Sequence, residues 1–202
     1  MNVYDFDNTI YNGDSSIDFY KFCIKKHIFL IKYLPIQIWW IFKYLFGICE
    51  KKECKEKFFI FLNGIETEQE VKRFWEKYMK NIKAWYINQK TDEDLIISAS
   101  PKFLLEPLCE IIGIRNLIAT EVDMNTGKFY SENCYGEEKV KRYYQEFKNI
   151  EINRFYTDSI SDRPLIEISK KSYIIKKNHI IKWEKYNKRS KSIKDMLFFR
   201  IR

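Results

Sequence analysis

Residues 4–16, YDFDNTIYNGDSS, place two carboxylates, Asp5 and Asp7, directly after a short apolar run. Alternate residues of a strand share a face, so two like charges two positions apart would repel one another there. A turn beginning at Asp7-Asn8-Thr9 would separate them, since Asp and Asn favour turns. The pair is therefore consistent with a solvated strand end, and equally with a site for a hard cation such as Mg²⁺, which prefers carboxylate oxygens.

The composition narrows the class of protein. The chain of 202 residues is 46% hydrophobic and 32% charged, which is typical of a folded protein with one core, or a core and a small second domain. The net charge of +8 would suit an anionic substrate, a membrane surface or nucleic acid. Because the lysines are scattered among many Ile and Asn residues, we expect no nucleic-acid partner.

The cysteines and the start of the chain bear on its location. The five cysteines form no C-x-x-C pair, and the chain enters MNVYDFD without a basic and apolar leader. We therefore expect reduced thiols and a cytoplasmic location.

Residues 15–86 are predicted to be helical. The segment 29–49, FLIKYLPIQIWWIFKYLFGIC, is rich in aromatic residues, but it is interrupted by Lys32, Pro35, Gln37 and Lys43. A membrane-spanning helix needs about 20 mostly apolar residues, so we interpret the segment as two helices broken near Pro35, buried or at an interface. Attachment to a membrane surface is the alternative. A further helix is predicted to begin at Thr67, where TEQE matches a capping box.

After residue 90 strands and helices alternate. The run 94–100, DLIISAS, is typical of a buried strand that ends at Ser98. Residues 101–113 predict a helix with Pro101 at its first position and Gly113 at its end. Extended structure with a turn at 125–127, a helix over 136–147, a strand ending at Asp158 and a last strand over 171–177 follow.

This alternation predicts an α/β fold with a Rossmann-like parallel sheet. The helical stretch interrupts it, so we expect an inserted α-helical cap at 15–86. The α/β core would comprise residues 1–14 and 87–183, and residues 184–202 would form a basic tail.

Polar residues follow three of the predicted strands, and a lysine begins the helix between the last two. Ligands bind beyond the carboxyl ends of parallel strands, so we expect these side chains to meet at one edge of the sheet. Carboxylates, a hydroxyl, an ammonium group and a helix N-terminus suit a phosphoryl group held with Mg²⁺. The predicted set is Asp5, Asp7, Ser98, Lys139, Asp158 and Asp162.

In this order, DFDNT, ISAS, GEEK and DSISD are similar to the four motifs of the haloacid dehalogenase superfamily. They best resemble its phosphoserine-phosphatase-like branch, subfamily IB, in which a helical cap of the C1 type lies between the first two motifs. The resemblance continues between the motifs and extends to about Trp183. It implies Mg²⁺-dependent hydrolysis of a small-molecule phosphate monoester through an aspartyl-phosphate intermediate.

The resemblance also implies a role for each residue of the set. Asp5 would be the nucleophile, and Asp7 the general acid and base. Mg²⁺ would bind to Asp5, to the backbone carbonyl of Asp7 and to Asp158. Dehalogenases of the superfamily lack the second acid, so its presence favours phosphoryl transfer. The other implied roles are phosphate binding by Ser98 and Lys139, orientation of Lys139 or of a metal-bound water by Asp162, and substrate contacts by Thr9, Asp14 and Ala99.

The substrate stays open at this point. Phosphoserine phosphatases use a cap arginine, whereas this cap contains only Arg73, and the matching position falls at Phe58 or its lysine neighbours. The aromatic cap would suit a substrate with an apolar part, including a lipid phosphate, or it would form a dimer or membrane contact. The alternative function is a membrane- or partner-binding module on the same fold with little turnover.

Overall fold

The computed structural model describes residues 1–148 and 150–188. Its sheet has the strand order β3-β2-β1-β4-β5-β6. Neighbouring strands are parallel throughout, except that β5 and β6 form an antiparallel hairpin. The strands are β1 (Asn2–Tyr4), β2 (Leu95–Pro101), β3 (Asn116–Thr120), β4 (Arg154–Thr157), β5 (Lys171–Lys176) and β6 (His179–Lys182). The predicted α/β fold with a largely parallel sheet is confirmed, although β6 was not predicted.

The helices lie between the strands, and the larger group lies between β1 and β2. Those five are α1 (Ser15–Lys26), α2 (Leu34–Leu45), α3 (Lys51–Phe58), α4 (Thr67–Tyr78) and α5 (Ala84–Ile87). The others are α6 (Lys102–Ile112), α7 (Glu137–Glu146) and α8 (Arg163–Ile168). Of the predicted basic tail, residues 184–188 are helical and 189–202 lie outside the described residues. The exact domain boundaries stay a prediction.

The break expected near Pro35 lies just before that residue. A 3₁₀ turn over Ile28–Tyr33 precedes α2, and Pro35 occupies the first turn of α2. Proline is tolerated there because the first N–H groups of a helix have no partner within the helix. The two helical segments predicted over 29–49 are therefore present, the first as a 3₁₀ turn.

Helix α4 begins at Thr67 as predicted, but the predicted capping box is wrong. Glu66 is the N-cap residue and makes no capping hydrogen bond. The Thr67 hydroxyl instead donates to the carbonyl of Met124, at 2.6 Å, because tertiary packing brings that carbonyl from the core within reach. A capping box does form at α3, between Glu50 and Glu53.

The sheet is covered on both faces. Successive residues of β1 point to opposite faces, and Val3 and Tyr4 accordingly belong to two different buried apolar clusters. The cluster on the Tyr4 side includes the apolar face of α4, with Phe74 and Trp75 fully buried. The Trp75 indole donates to the carbonyl of Leu104 in α6, at 2.6 Å. Helix α4 therefore fixes the cap to the core above the carboxyl ends of the strands.

Candidate active site

The turn after β1 separates the two carboxylates of the first motif. The Asp5 N–H donates to the Tyr156 carbonyl of β4, at 2.9 Å, which holds Asp5 at the sheet edge. The Phe6 carbonyl then accepts hydrogen bonds from the backbone N–H groups of residues 9–11. Asn8 adopts φ 57°, a left-handed conformation that Asn tolerates better than most residues. The expected turn is therefore present, and it points Asp5 and Asp7 in different directions.

A buried lysine holds this turn from the cap side. Lys83 lies just before α5, and its Nζ donates to the backbone carbonyl of Asn8. The same ammonium donates to the carbonyl of Lys177, at 2.9 Å, in the turn between β5 and β6. Lys83 therefore connects the turn after β1 to the hairpin of β5 and β6, a role that nothing in its sequence context predicted.

A buried ion-pair network connects three of the motifs. Lys139, in the first turn of α7, places its Nζ 2.7 Å from Asp5 Oδ1 and 3.0 Å from the Asp162 carboxylate. The Thr157 hydroxyl donates to Asp162 at 2.7 Å, and the Thr9 hydroxyl donates to Asp5 at 3.1 Å. The parallel topology thus brings β1, β4 and α7 to one point, as the sequence predicted.

Burial controls the protonation of this network. Burial raises the pKa of Asp5 to about 7; Lys139 opposes this shift, and the neighbouring Asp162 and Asp158 add to it. Burial opposes ionisation of Lys139 as well, but Asp5 and Asp162 more than offset it and raise the pKa of Lys139. The proton shared by Asp5 and Lys139 therefore resides on Lys139. The carboxylates of the site carry more negative charge than this one ammonium group neutralises.

Asp7 faces the start of the cap. Its carboxylate accepts a hydrogen bond from the Ser15 N–H at 2.7 Å and another from the Ser100 hydroxyl. Burial raises the pKa of Asp7 to about 6, and the nearby Asp14 adds to this shift. Asp14 is the N-cap of α1 and accepts from the Ile17 N–H at 3.0 Å. Asp7 can therefore both hold and release a proton near neutral pH.

Strand β2 extends further than predicted and contains the second motif, ISAS. It ends at Pro101 rather than at Ser98, with a register shift against β3 after Ile97. Within this irregular part the Ser98 hydroxyl accepts from the Ser100 N–H at 3.0 Å. Helix α6 begins at Lys102 with Pro101 as its N-cap, one residue later than predicted. Ser98, Ala99 and Ser100 consequently lie beside the N-terminus of α6.

A cavity of about 460 Å³ opens over these side chains. Thr9 is not in its wall and reaches the site only through its hydrogen bond to Asp5. The other predicted site residues all line the cavity: Asp5, Asp7, Asp14, Ser98, Ala99, Lys139, Asp158 and Asp162.

The cap contributes a wall of the cavity that sequence reasoning largely missed. This cap wall consists of Ser16, Ile17, Ile41, Lys51, Cys54, Lys55, Phe58 and Phe59. Tyr135 of the core also lines the cavity, with its ring centroid 3.4 Å from the Lys51 ammonium. Only Phe58 and its lysine neighbours had been singled out. Arg73 instead pairs with Glu70, at 2.8 Å, and does not line the cavity.

Lys55 is the cation of the cap wall closest to the second motif. Its Nζ donates to the Ala99 carbonyl at 2.9 Å and to Asn133 Oδ1 at 3.0 Å. Burial lowers the pKa of Lys55 to about 8, and the nearby Lys51 adds to this shift. The spacing of these two lysines, four residues apart in KKECKEKFF, is the sequence signal that could have placed them on one helix face.

The oxygen atoms at the sheet edge fit a magnesium ion. Across the described residues, no three side chains of His, Cys, Asp or Glu form a closed metal cluster. Mg²⁺ is usually held by one or two carboxylates together with waters and substrate phosphate, so a closed cluster is not needed. The carboxylates of Asp5 and Asp158 and the backbone carbonyl of Asp7 supply hard oxygen ligands. The uncompensated carboxylate charge of the site favours a cation there.

Comparisons with known proteins identify a family and a relative of the chain. The family model described as haloacid dehalogenase-like hydrolase matches residues 3–167. A curated histidinol-phosphatase from Neisseria meningitidis serogroup C (strain 8013) is 24% identical over 189 residues, covering 82% of this chain and 85% of the relative.

Two solved structures share the fold. A protein of unknown function from Bordetella pertussis Tohama I has a TM-score of 0.66 at 18% identity, covering 85% of this chain and 87% of that one. A phosphoserine phosphohydrolase-like protein from Francisella tularensis has a TM-score of 0.52 at 20% identity, covering 85% and 86%. At these identities the likeness concerns the fold alone.

Proposed function

Because the chain belongs to the haloacid dehalogenase-like hydrolases, we propose that it hydrolyses a phosphate monoester through an aspartyl-phosphate intermediate on Asp5. The observation that carries this proposal is the buried network of Asp5, Lys139 and Asp162, with Asp7 as a second acid beside it. A protein that only bound ligands would not need a nucleophile, a separate acid and a buried ammonium at one point. This arrangement therefore counts against a binding module without turnover.

In the first step a carboxylate oxygen of Asp5 attacks the phosphorus, and the bond from phosphorus to the ester oxygen breaks. Asp7 donates its proton to the departing oxygen, so the leaving group departs as a neutral alcohol. Lys139, the Ser98 hydroxyl and the N-terminus of α6 offset the charge of the phosphoryl oxygens. Bound to Asp5, Asp158 and the Asp7 carbonyl, Mg²⁺ would supply further charge neutralisation.

In the second step Asp7, now ionised, takes a proton from a water molecule whose oxygen attacks the phosphorus. The bond between phosphorus and Asp5 breaks, inorganic phosphate leaves, and both carboxyl groups return to their starting states. A pKa of about 6 for Asp7 suits both directions of proton transfer near neutral pH.

The cap wall indicates the class of leaving group. Phe58, Phe59 and Ile41 present apolar surface, while Lys51 and Lys55 present ammonium groups. We therefore propose a substrate with an apolar part and an anionic group that lies against Lys55. The name of the curated relative adds histidinol phosphate to the esters worth testing. The cytoplasmic location stays a prediction.

A lipid phosphate is the second candidate substrate. Ile41 lines the cavity and is 45% exposed, and its neighbours in α2, Trp39 and Phe42, are each more than half exposed. Exposed apolar surface therefore extends along α2 from the wall of the cavity, which a small polar ester would not require.

The test is release of inorganic phosphate from p-nitrophenyl phosphate, phosphoserine, histidinol phosphate and a lysophosphatidate. Each ester is assayed with Mg²⁺ and with EDTA. The variants are Asp5→Asn and, as a matched control, Asp92→Asn, whose side chain is exposed and lies outside the cavity. We expect Mg²⁺-dependent release by the wild type and Asp92→Asn, and none by Asp5→Asn. Equal turnover by Asp5→Asn would refute the proposal.

A further inference from the structure

Helix α2 turns its apolar side chains outward. Its buried residue is Gln37, 3% exposed, which accepts from the Tyr20 hydroxyl and donates to the Phe58 carbonyl at 2.8 Å. On the opposite face Trp39 is 61% exposed, and Leu45, in the last turn of α2, is 70% exposed. A surface helix of a protein in water normally buries its apolar face and exposes its polar one. Helix α2 has the reverse arrangement.

The apolar surface extends beyond α2 at both ends. We define the outer cap face as the exposed apolar side chains between Ile28 and Ile48. The stretch Ile28–Leu45 has a mean hydropathy of 1.2, and 11% of it is buried in the protein. By length and composition alone it could cross a membrane. Continuous exposed apolar surface of this kind marks an interaction site rather than a solvated one.

The positive charge near the outer cap face indicates the kind of partner that it would bind. Between Asp18 and Glu50 the sequence contains five lysines and no acidic residue. Within the described ranges, no carboxylate lies within 4.0 Å of the ammonium groups of Lys32 and Lys43. A second copy of the chain would bring the same positive face into contact, and the two would repel. Anionic lipid headgroups carry the complementary charge.

The packing of α2 determines its orientation in the lipid. Gln37 of α2 forms hydrogen bonds with Tyr20 of α1 and with Phe58 at the end of α3. These contacts hold α2 along the surface of the cap. The Lys43 ammonium lies 4.2 Å from the Trp40 ring centroid. Aromatic rings and lysines together are typical of helices in the plane of the membrane interface. We propose that the outer cap face docks in the interface of an anionic bilayer, with Trp39 and Leu45 facing the acyl chains.

The docking would also place the cavity at the membrane. Ile41 belongs both to the outer cap face and to the cap wall of the cavity. This consequence rests on the proposed function, because it concerns access of substrate to Asp5. The docking itself needs no turnover and is tested separately.

The experiment is co-sedimentation of the full chain with vesicles. One set contains phosphatidylcholine and phosphatidylglycerol in equal parts, and the other contains phosphatidylcholine alone. We expect binding to the anionic vesicles that weakens as salt is raised, and much less binding to the neutral ones. Trp39→Glu and Leu45→Glu should each weaken binding roughly tenfold or more, because each loses apolar burial and adds a negative charge. The matched control Ile111→Glu, at a 57% exposed position of α6, should bind like the wild type.

Three further measurements separate a loss of docking from misfolding, from loss of catalysis and from insertion across the membrane. Thermal unfolding should be the same for Leu45→Glu and the wild type, which excludes misfolding as the cause of lost binding. Asp5→Asn should bind vesicles as the wild type does, so a failure of catalysis and a failure of docking are distinguishable. The proposal is overturned if the wild type stays in the supernatant, or if the two Glu variants bind normally. It is also overturned if sodium carbonate fails to extract the bound protein, which would indicate a spanning segment.

Discussion

Replacing Lys139 by Met removes an ammonium from between two buried carboxylates while keeping a side chain of similar length. In the wild type its Nζ lies 2.7 Å from Asp5 and 3.0 Å from Asp162, and Lys139 is itself buried. Removing one partner of a buried ion pair leaves an uncompensated charge and typically lowers the free energy of unfolding by about 3–5 kcal/mol. The cavity gives Asp5 some access to water, so we expect a loss of about 3 kcal/mol.

The assay is urea unfolding in EDTA, so that no metal compensates for the missing charge. Burial raises the folded-state pKa of wild-type Asp5 to about 7 although Lys139 opposes the shift, so without the lysine this pKa lies higher. Below pH 7 Asp5 is largely protonated in both proteins, so the stability deficit of the variant should grow as the pH rises past 7 and shrink in acid. Adding Asp162→Asn should recover part of the loss. An unfolding midpoint at about pH 8 that equals that of the wild type would contradict the expected loss.

Three further predictions concern the cap. Gly127 has φ +74°, and a Cβ there would lie 2.5 Å from the carbonyl oxygen of Phe59, so Gly127→Ala should cost about 2 kcal/mol in urea unfolding; an unchanged midpoint would contradict the close approach. Glu70 accepts from Lys26 at 2.8 Å, and its ion pairs lower its pKa against the effect of burial. Glu70→Gln should therefore lose about 1–2 kcal/mol at neutral pH and progressively less as acid protonates the wild-type carboxylate, whereas a loss that pH does not change would point to packing. Lys55 is charged below its pKa of about 8, so the wild-type KM for an anionic ester should rise as the pH passes that value. Lys55→Met should have a high KM at every pH. If KM depends on pH in the same way in both proteins, Lys55 does not bind the substrate.

The sheet and the catalytic edge were predictable because both depend on local patterns. An apolar run that ends in a polar residue identifies a buried strand, and parallel topology then brings the strand ends together. This pattern predicts Asp5, Ser98 and Asp158 at the sheet edge, and each of them lines the cavity. The short strand β6 escaped prediction because Lys177, at φ 57°, makes its turn without the glycine that usually marks one.

The cap was harder to predict because tertiary contacts decide it. In a capping box the Thr67 hydroxyl would accept from the backbone N–H of Glu70, and its sequence neighbours do not reveal that it instead donates to the Met124 carbonyl. The periodicity of apolar residues in α2 predicts an apolar helix, but it does not indicate that Gln37 is the residue buried against the rest of the cap. Lys55 enters the site only because α3 packs over β2, a relation that spans 44 residues. Substrate specificity lies in these contacts.

The central claim is that Asp5 carries the phosphoryl group during turnover. The most direct measurement is borohydride reduction of the enzyme during steady-state hydrolysis, since an acyl phosphate is reduced to an alcohol and the change can be located by peptide mass. We predict that Asp5 alone is converted to homoserine, that conversion requires both substrate and Mg²⁺, and that Asp5→Asn gives no reduced peptide. Full turnover without a reduced Asp5, or with reduction at another carboxylate, would contradict the account.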